Sequence, residues 1–373
     1  MNIFLLALGL LLFVGLVVVH EFGHFIMARR NGVEVEEFGI GFPPRAWLKR
    51  VKSNKGDFDF TLNWLPLGGF VKLKGENDSD TEKGSFGAAS LSGKVKIMLA
   101  GVIMNLLTAF VLLTFVALVG MPKLLDNQFT VANDTKIIEQ MLFVGFVEKD
   151  SPAAQAGLAE RDQLVAINDQ PISDPSAFPE VTASYAGQEV MIAYIRDGEQ
   201  RTANATLRSI EEVEKSKDTD KPKGHLGIAP SVYELQRSTW SAPIVAAGLI
   251  KQFTTETLKG LGNALANVFR GEGKKASEQV AGPVGIFVIL KDGSLLGYQF
   301  ILLILAVISL TLAIMNALPI PALDGGRLFV TLLFRAFKKP LTKETEDRIH
   351  GTGFVLLMLL FVLITVVDVR RFF

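Results

Sequence analysis

Apolar residues run almost unbroken through four stretches of the chain, residues 3–28, 95–119, 295–318 and 354–369. Each is close to the ~20 residues that a helix needs to cross the hydrocarbon layer of a bilayer. The pattern therefore predicts four membrane-spanning helices. Between the second and third the period changes. From Leu142 to Leu207, alternating runs such as LFVGFV, QLVAIN and EVMIAYIRDG predict short strands divided by turn residues, with SPAAQAGL as a short helix among them. The charged, aromatic-free tract SIEEVEKSKDTDKPKG predicts a solvated loop. Beyond it, WSAPIVAAGLIKQFTTETLKGLGNALANVF carries apolar residues at helical spacing. Such a helix lies on a membrane surface or packs on the spans, and the sequence leaves both open.

Composition agrees with this picture. Of 373 residues, 49% are hydrophobic and 20% charged, with no net charge, so nothing offers the basic excess that a nucleic-acid partner demands. Cysteine is absent, which excludes disulfides, thiolate metal sites and cysteine nucleophiles. Any metal must be held by nitrogen and oxygen.

Charge also predicts the sides. Arg29, Arg30, Arg45, Lys49, Arg50 and further Lys residues crowd the stretch between the first two spans, and Arg327, Arg335, Lys338 and Lys339 follow the third. The positive-inside rule puts both on the cytoplasmic face. The N-terminus, the C-terminus and the long middle region then face outward. Arg370 and Arg371 at the outer end stand against the rule. The first span lacks a basic leader and a small-residue cleavage motif, so it is expected to stay attached. The expected organisation is a span over 1–28, a cytoplasmic loop over 29–93, a span over 94–121, an outward β-rich domain with linkers over 122–232, and amphipathic surface helices over 233–294. A third span over 295–326, a cytoplasmic loop over 327–350 and a fourth span over 351–373 complete it.

Within the first span stands VVVHEFGH. Residues four apart share a helix face, so His20 and His24 can aim at one point with Glu21 beside it. Two imidazoles suit zinc, and the glutamate is placed to take a proton from water activated there. Ionisable groups at membrane depth are costly and mark function by default, although a polar helix end meeting headgroups is the plainer alternative. A catalytic zinc takes a third protein ligand. MNALPIPALDGG closes the third span at the same depth, Pro319 and Pro321 break its helix, and Asp324 follows. Irregular backbone at membrane depth survives only where protein or a wet cavity covers it, so the break points to a site. Asp324 as a mere cap for a helix starting at Gly325 is the competing role. Gly101 and Asn105 in the second span pack helices closely or line the site, and His225 and His350 are expected to be ordinary surface or loop residues.

HEFGH in a first span, NALPIPALDGG in a later one, and EVEEFGIGF, LNWLPLGGFVKLKGE, GVIMNLL and VAGPVGIF between them resemble the site-2 family of intramembrane zinc proteases, of the bacterial regulator-of-sigma-E protease type. The resemblance implies a polytopic α-helical membrane protein in the cytoplasmic (inner) membrane. It implies Zn2+ held by His20, His24 and Asp324, with Glu21 as the base. Asn316 is implied to bond the backbone of an unwound substrate, with Pro319 and Pro321 beside it. LPLGGFV matches a membrane-associated β-hairpin in which Leu67, Gly68, Gly69 and Phe70 receive substrate as an added strand. DSPAAQAGLAERDQLVAINDQPI resembles a circularly permuted bacterial PDZ domain, which implies a peptide or chain-terminus ligand or exclusion of partners by size. Many relatives carry two such domains in tandem, whereas this chain has room for one. Two departures are Pro43 and Arg161, where glycines are usual. The implied substrates are single-span proteins in the bilayer, such as anti-sigma factors or signal-peptide remnants. A zinc-free membrane scaffold that binds chain termini is the alternative, and metal content separates the two.

Overall fold

The computed structural model describes residues 3–54, 56–172, 174–217, 222–277 and 280–373. It divides into two compact units, Ala117–Ser241 and the combination of Asn2–Val116 with Ala242–Phe373. In chain order the elements are α1 (Ile3–Arg30), β1 (Val35–Val51), β2 (Phe58–Leu73) and α2 (Leu91–Val119). There follow β3 (Met121–Pro122), β4 (Lys136–Val147), α3 (Pro152–Gln155), β5 (Gln163–Ile167), β6 (Gln170–Pro171), α4 (Phe178–Ser184), β7 (Glu189–Arg196), β8 (Glu199–Thr206), α5 (Ile210–Ser216) and β9 (Ile228–Arg237). The chain ends with α6 (Ala242–Phe269), α7 (Gly273–Ser277), α8 (Pro283–Gly293), α9 (Tyr298–Ala317), α10 (Asp324–Ala336) and α11 (Lys343–Phe372).

Four helices, α1, α2, α9 and α11, are long and apolar enough to cross a membrane. Lipid tails are as apolar as leucine, so burial alone does not hold such helices together, and close packing must. Leu6 and Leu16 of α1 meet Leu290 of α8 and Ile301 and Leu305 of α9 in one buried cluster. Gly9 lets α9 close in, since a Cβ there would lie 3.2 Å from the Ile301 side chain. α11 keeps most of its apolar surface outward, with Leu356, Leu359 and Leu363 exposed. A polar clamp ties its far end: Asp368, almost fully buried, accepts hydrogen bonds from the Gly282 and Gly285 N–H groups (2.9 and 2.8 Å) at the start of α8. The carboxylate thereby satisfies backbone donors that a helix N-terminus leaves open.

β1 and β2 form one long antiparallel hairpin, with Val35 opposite Leu73 and Val51 opposite Phe58. It doubles over at its middle, so Phe38, Gly39 and Ile40 lie between Val71, Phe70 and Gly69 on one side and Phe60, Thr61 and Leu62 on the other. The fold needs glycine at the bend: Gly41 has φ 78°, and a Cβ there would come within 2.6 Å of the Leu65 carbonyl oxygen. Residues 65–73 thus form an outer segment, and among the described residues no further strand pairs with it. Trp47, Leu48, Leu62, Trp64 and Leu65 stand exposed around the bend.

The smaller unit is a β module. Its sheet runs β3-β9-β4-β5-β7-β8, with β6 paired to β5. Alternation buries Leu142 and Val144 of β4 and Val190, Ile192 and Tyr194 of β7 in one core, which Leu164 and Ile167 of β5 join across a register shift. Arg196 grips the buried Asp162 through two bonds (2.7 and 2.6 Å). That pair closes the turn in which Arg161, one of the two departures noted above, takes φ 73°. The two ends of the module are clasped together. The Ser238 N–H donates to the Ala117 carbonyl (2.8 Å), and Asp134 accepts from Ser241 Oγ (2.6 Å) and from the Thr239 hydroxyl.

Three expectations need correction. The tract expected as solvated loop begins with α5, because Ser209 and Glu212 form a reciprocal capping box that gives so short a helix its start. The stretch 233–294 does not open with helix, since residues up to Arg237 belong to β9 and pair with β4. The loop expected over 327–350 is mostly helical: α10 covers its first part and α11 already begins at Lys343, about two turns before 351. Counting its positive charges hid an amphipathic repeat that buries Val330 and Thr331 and leaves Arg335 outside. The hairpin expected within 29–93 is present, and it doubles on itself as described above.

Candidate metal centre

Where α9 ends, its backbone has no choice but to turn. Leu318 precedes Pro319 and is extended, with ψ 149°, as the ring of a following proline demands. Pro321 repeats the break, Ala322 takes φ 77°, and the Leu323 N–H turns back to the Ile320 carbonyl (3.1 Å). α10 then starts at Asp324. Its first turn lies so close to this loop that a Cβ on Gly325 would be 2.5 Å from the Leu318 carbonyl oxygen, and one on Gly326 would strike the Ile320 carbonyl. The two glycines after Asp324 are what allow the helix start to fold back.

The same loop is held from α11. His350 Nδ1 accepts the Ala322 N–H (3.1 Å), and Gly353 leaves room for Pro321, whose carbonyl oxygen would lie 2.6 Å from a Cβ there. His350 is therefore no ordinary surface residue. It fixes the backbone two positions before Asp324, a role without any motif to announce it. His225 keeps the plain role expected of it, with Nδ1 donating to the Arg208 carbonyl (2.9 Å) inside the β module.

Asp324 Oδ2 lies 3.1 Å from His20 Nε2 and 3.1 Å from His24 Nε2, and the two imidazole nitrogens are 3.2 Å apart. Three donors about 2.0–2.1 Å from one tetrahedral centre stand roughly 3.3 Å from one another, so the spacing is that of a small metal ion's ligand set. His24 Nδ1 donates to the Ile97 carbonyl of α2 (2.8 Å); a carbonyl only accepts, so the proton sits on Nδ1 and the Nε2 lone pair is free. Gly101, one turn along α2, lies under both rings: a Cβ there would be 2.5 Å from His20 Cε1 and from His24 Nε2. Gly23 brings the two helices together, since its Cβ would come within 2.6 Å of the Ala100 carbonyl oxygen. The second span therefore does both things expected of Gly101 and Asn105. It packs closely and it lines the centre, with the Asn105 amide 3.2 Å from His20 Nδ1.

The chain matches the profile described as peptidase family M50 over residues 8–360. It belongs to that family. A zinc metalloprotease candidate of Clostridium perfringens is 30% identical over 364 residues, 97% of each chain. The zinc metalloprotease RasP of Shouchella clausii is 25% identical over 438 aligned positions, covering 96% of this chain and 97% of that one. Among solved structures, the PDZ domain of an SdrC-like protein from Listeria monocytogenes is 23% identical, covering 26% of this chain and 92% of that domain, with a TM-score of 0.21.

In this M50 chain the donor set of two imidazoles and one carboxylate fits zinc, and the glycine beneath the rings leaves the space that a side chain would fill. Other residues singled out in the sequence sit around it. Glu21 lies beside the three donors, close to Val71 of the doubled hairpin. Gly69 lies against it, with a Cβ position 3.6 Å from Glu21 Cγ, and Gly68, at φ 134°, lies beside Val17. Phe70 covers Gly39 on the neighbouring segment. The Leu67 side chain lies outside the described residues. Asn316 spends one amide proton on the Leu312 carbonyl of its own helix (3.0 Å), and Pro319 and Pro321 form the break itself.

Proposed function

We propose that this chain is an intramembrane zinc endopeptidase that cuts single-span membrane proteins, with His20, His24 and Asp324 holding the metal and Glu21 acting as general base. The observation that carries the reading is the meeting, within 4.8 Å, of three ligand atoms from two elements some 300 residues apart, α1 and the start of α10 just after the proline break that ends α9. When bound, zinc supplies a Lewis acid and brings the pKa of the water it holds toward ~7. Glu21 takes the proton of the attacking water and passes it to the leaving nitrogen. A carboxylate in that role is worth roughly 10²–10⁴-fold in rate.

A substrate helix hides its peptide bonds in its own hydrogen bonds, so it must unwind before attack. The outer segment 65–73 supports strand addition as the way its freed backbone finds partners: among the described residues no strand pairs with its outer edge, and Val71 and Gly69 of that segment border Glu21. Asn316 joins it once its amide leaves the Leu312 carbonyl, and residues flanking Pro319 and Pro321 line the path. Helix-breaking residues in a substrate should favour cleavage. The exposed Trp47, Trp64 and Leu65 seat the bend of the hairpin in the lipid interface. The charge pattern supports a cytoplasmic face for the hairpin and an outward face for the β module, in a bacterial inner membrane. The module is a PDZ domain that excludes substrates whose outer part has not been trimmed.

Replacing Glu21→Gln should leave zinc at one equivalent and lower cleavage of a reporter span at least about a hundredfold. Unchanged cleavage would refute the assignment.

A further inference from the structure

His24 receives its tautomer from α2, through the Ile97 carbonyl, and two turns further along the same face Asn105 stands against the other histidine. Asn105 is almost fully buried, and its backbone is fixed, since Ser309 Oγ of α9 donates to its carbonyl (2.8 Å). As the atoms stand, Nδ2 of the amide faces His20 Nδ1 at 3.2 Å, while Oδ1 has no partner among the described residues. That orientation has a chemical consequence. An NH2 group only donates, so Nδ1 would have to accept, and the ring proton would be driven onto Nε2. Nε2 is the atom that faces Asp324 and His24, and a protonated nitrogen binds no metal.

We propose that Asn105 is the positioning residue of His20: its amide is turned to present Oδ1 to Nδ1–H, which fixes the ring and bares the Nε2 lone pair for the metal. The oxygen and nitrogen of an amide occupy nearly the same space, so the turn moves no other atom. The unpaired Oδ1 becomes the acceptor, and α2 then serves both rings alike, with a backbone carbonyl for His24 and a side-chain carbonyl for His20. Gly101 lies between them under the two imidazoles, so one face of one helix, Ile97, Gly101 and Asn105, sets the direction of both ligands. Metal-binding histidines held by such outer partners lose roughly 10- to 100-fold in affinity when the partner is removed.

The proposal rests on the zinc reading above, and the test separates the two. Full-length protein in nanodiscs is titrated with zinc against a chromophoric chelator, as wild type, Asn105→Leu and Asn105→Asp. The leucine variant keeps the volume and loses the acceptor, so zinc should bind roughly 10- to 100-fold more weakly. The aspartate variant keeps an acceptor at the same place and should bind at least as tightly as wild type. In parallel, nitrogen-15 spectra of the metal-free wild type should show His20 with its proton on Nδ1. Zinc affinity unchanged in Asn105→Leu, an equal loss in Asn105→Asp, or a proton on Nε2 in the metal-free wild type overturns the role of Asn105. If Asn105→Leu does not fold, the aspartate variant and the spectrum decide. A wild type that takes up no zinc sinks the zinc reading instead.

Discussion

The two units of the molecule are built on opposite uses of side-chain volume. In the β module, Leu142, Ile167, Val190 and Ile192 project from alternating strand positions and fill a common interior. Around the metal centre the decisive positions are empty ones: Gly23, Gly101, Gly325, Gly326 and Gly353 each sit where a Cβ would run into a neighbouring backbone, ring or side chain. The contrast follows from the solvent. Water drives the module together by burying apolar surface, whereas lipid gives no such drive and leaves close backbone approach and polar contacts to hold helices. Damage should therefore come from removing atoms in one unit and from adding them in the other.

The largest effect should come from adding a single methyl beside the ligand carboxylate. Gly326→Ala forces the start of α10 away from the Ile320 carbonyl and carries Asp324 with it; zinc should fall well below one equivalent and reporter cleavage by at least about a hundredfold. Metal analysis and a cleavage assay on the purified variant check this, and a fully active Gly326→Ala would break the comparison. Deleting atoms in the module is the converse. Ile192→Ala should cost the module about 2–5 kcal/mol in denaturant unfolding while zinc content stays at one equivalent. A loss of zinc there would mean that the two units are not independently built.

The smallest effect concerns pH. The hydroxyl of Ser241, then that of Thr239, and the N–H groups of both hold the Asp134 carboxyl well below the ordinary carboxylate range of about 4. A depressed pKa contributes stability that is complete above the unfolded value and fades only as pH falls through the folded one. The clasp joining the ends of the module should thus persist from pH 7 to about pH 4. Amide exchange at Thr239 and Ser241, corrected for intrinsic rates, should show equal protection across that window; early loss would place the carboxyl in the ordinary range.

What is legible in the sequence follows the same division. Unbroken apolar runs announce α1, α2, α9 and α11, because lipid tolerates little else at that length. The meeting of His20, His24 and Asp324 can be read from a helical spacing of four and from two prolines that end a span early. The strands of the β module show in their alternation. The doubling of the β1–β2 hairpin does not, because the glycines and prolines that interrupt it, Gly41, Pro43 and Pro44 among them, mark a turn without saying which segments will pair across it. α10 is masked by its two arginines and the lysines that follow it, which argue for a side of the membrane and say nothing of a helix. His350 and the Ile97 carbonyl act by distance alone: one bonds a backbone N–H, and the other is itself backbone. Neither leaves a pattern in the side chains around it.

The claim that one ion is held by His20, His24 and Asp324 is tested most directly by X-ray absorption at the zinc edge, on the purified wild type beside Asp324→Ala. The wild type should hold one zinc with two imidazole nitrogens at about 2.0–2.1 Å and carboxylate or water oxygen completing four ligands, and the variant should lose most of its metal. An Asp324→Ala protein that keeps one equivalent of zinc with an unchanged spectrum would contradict the account.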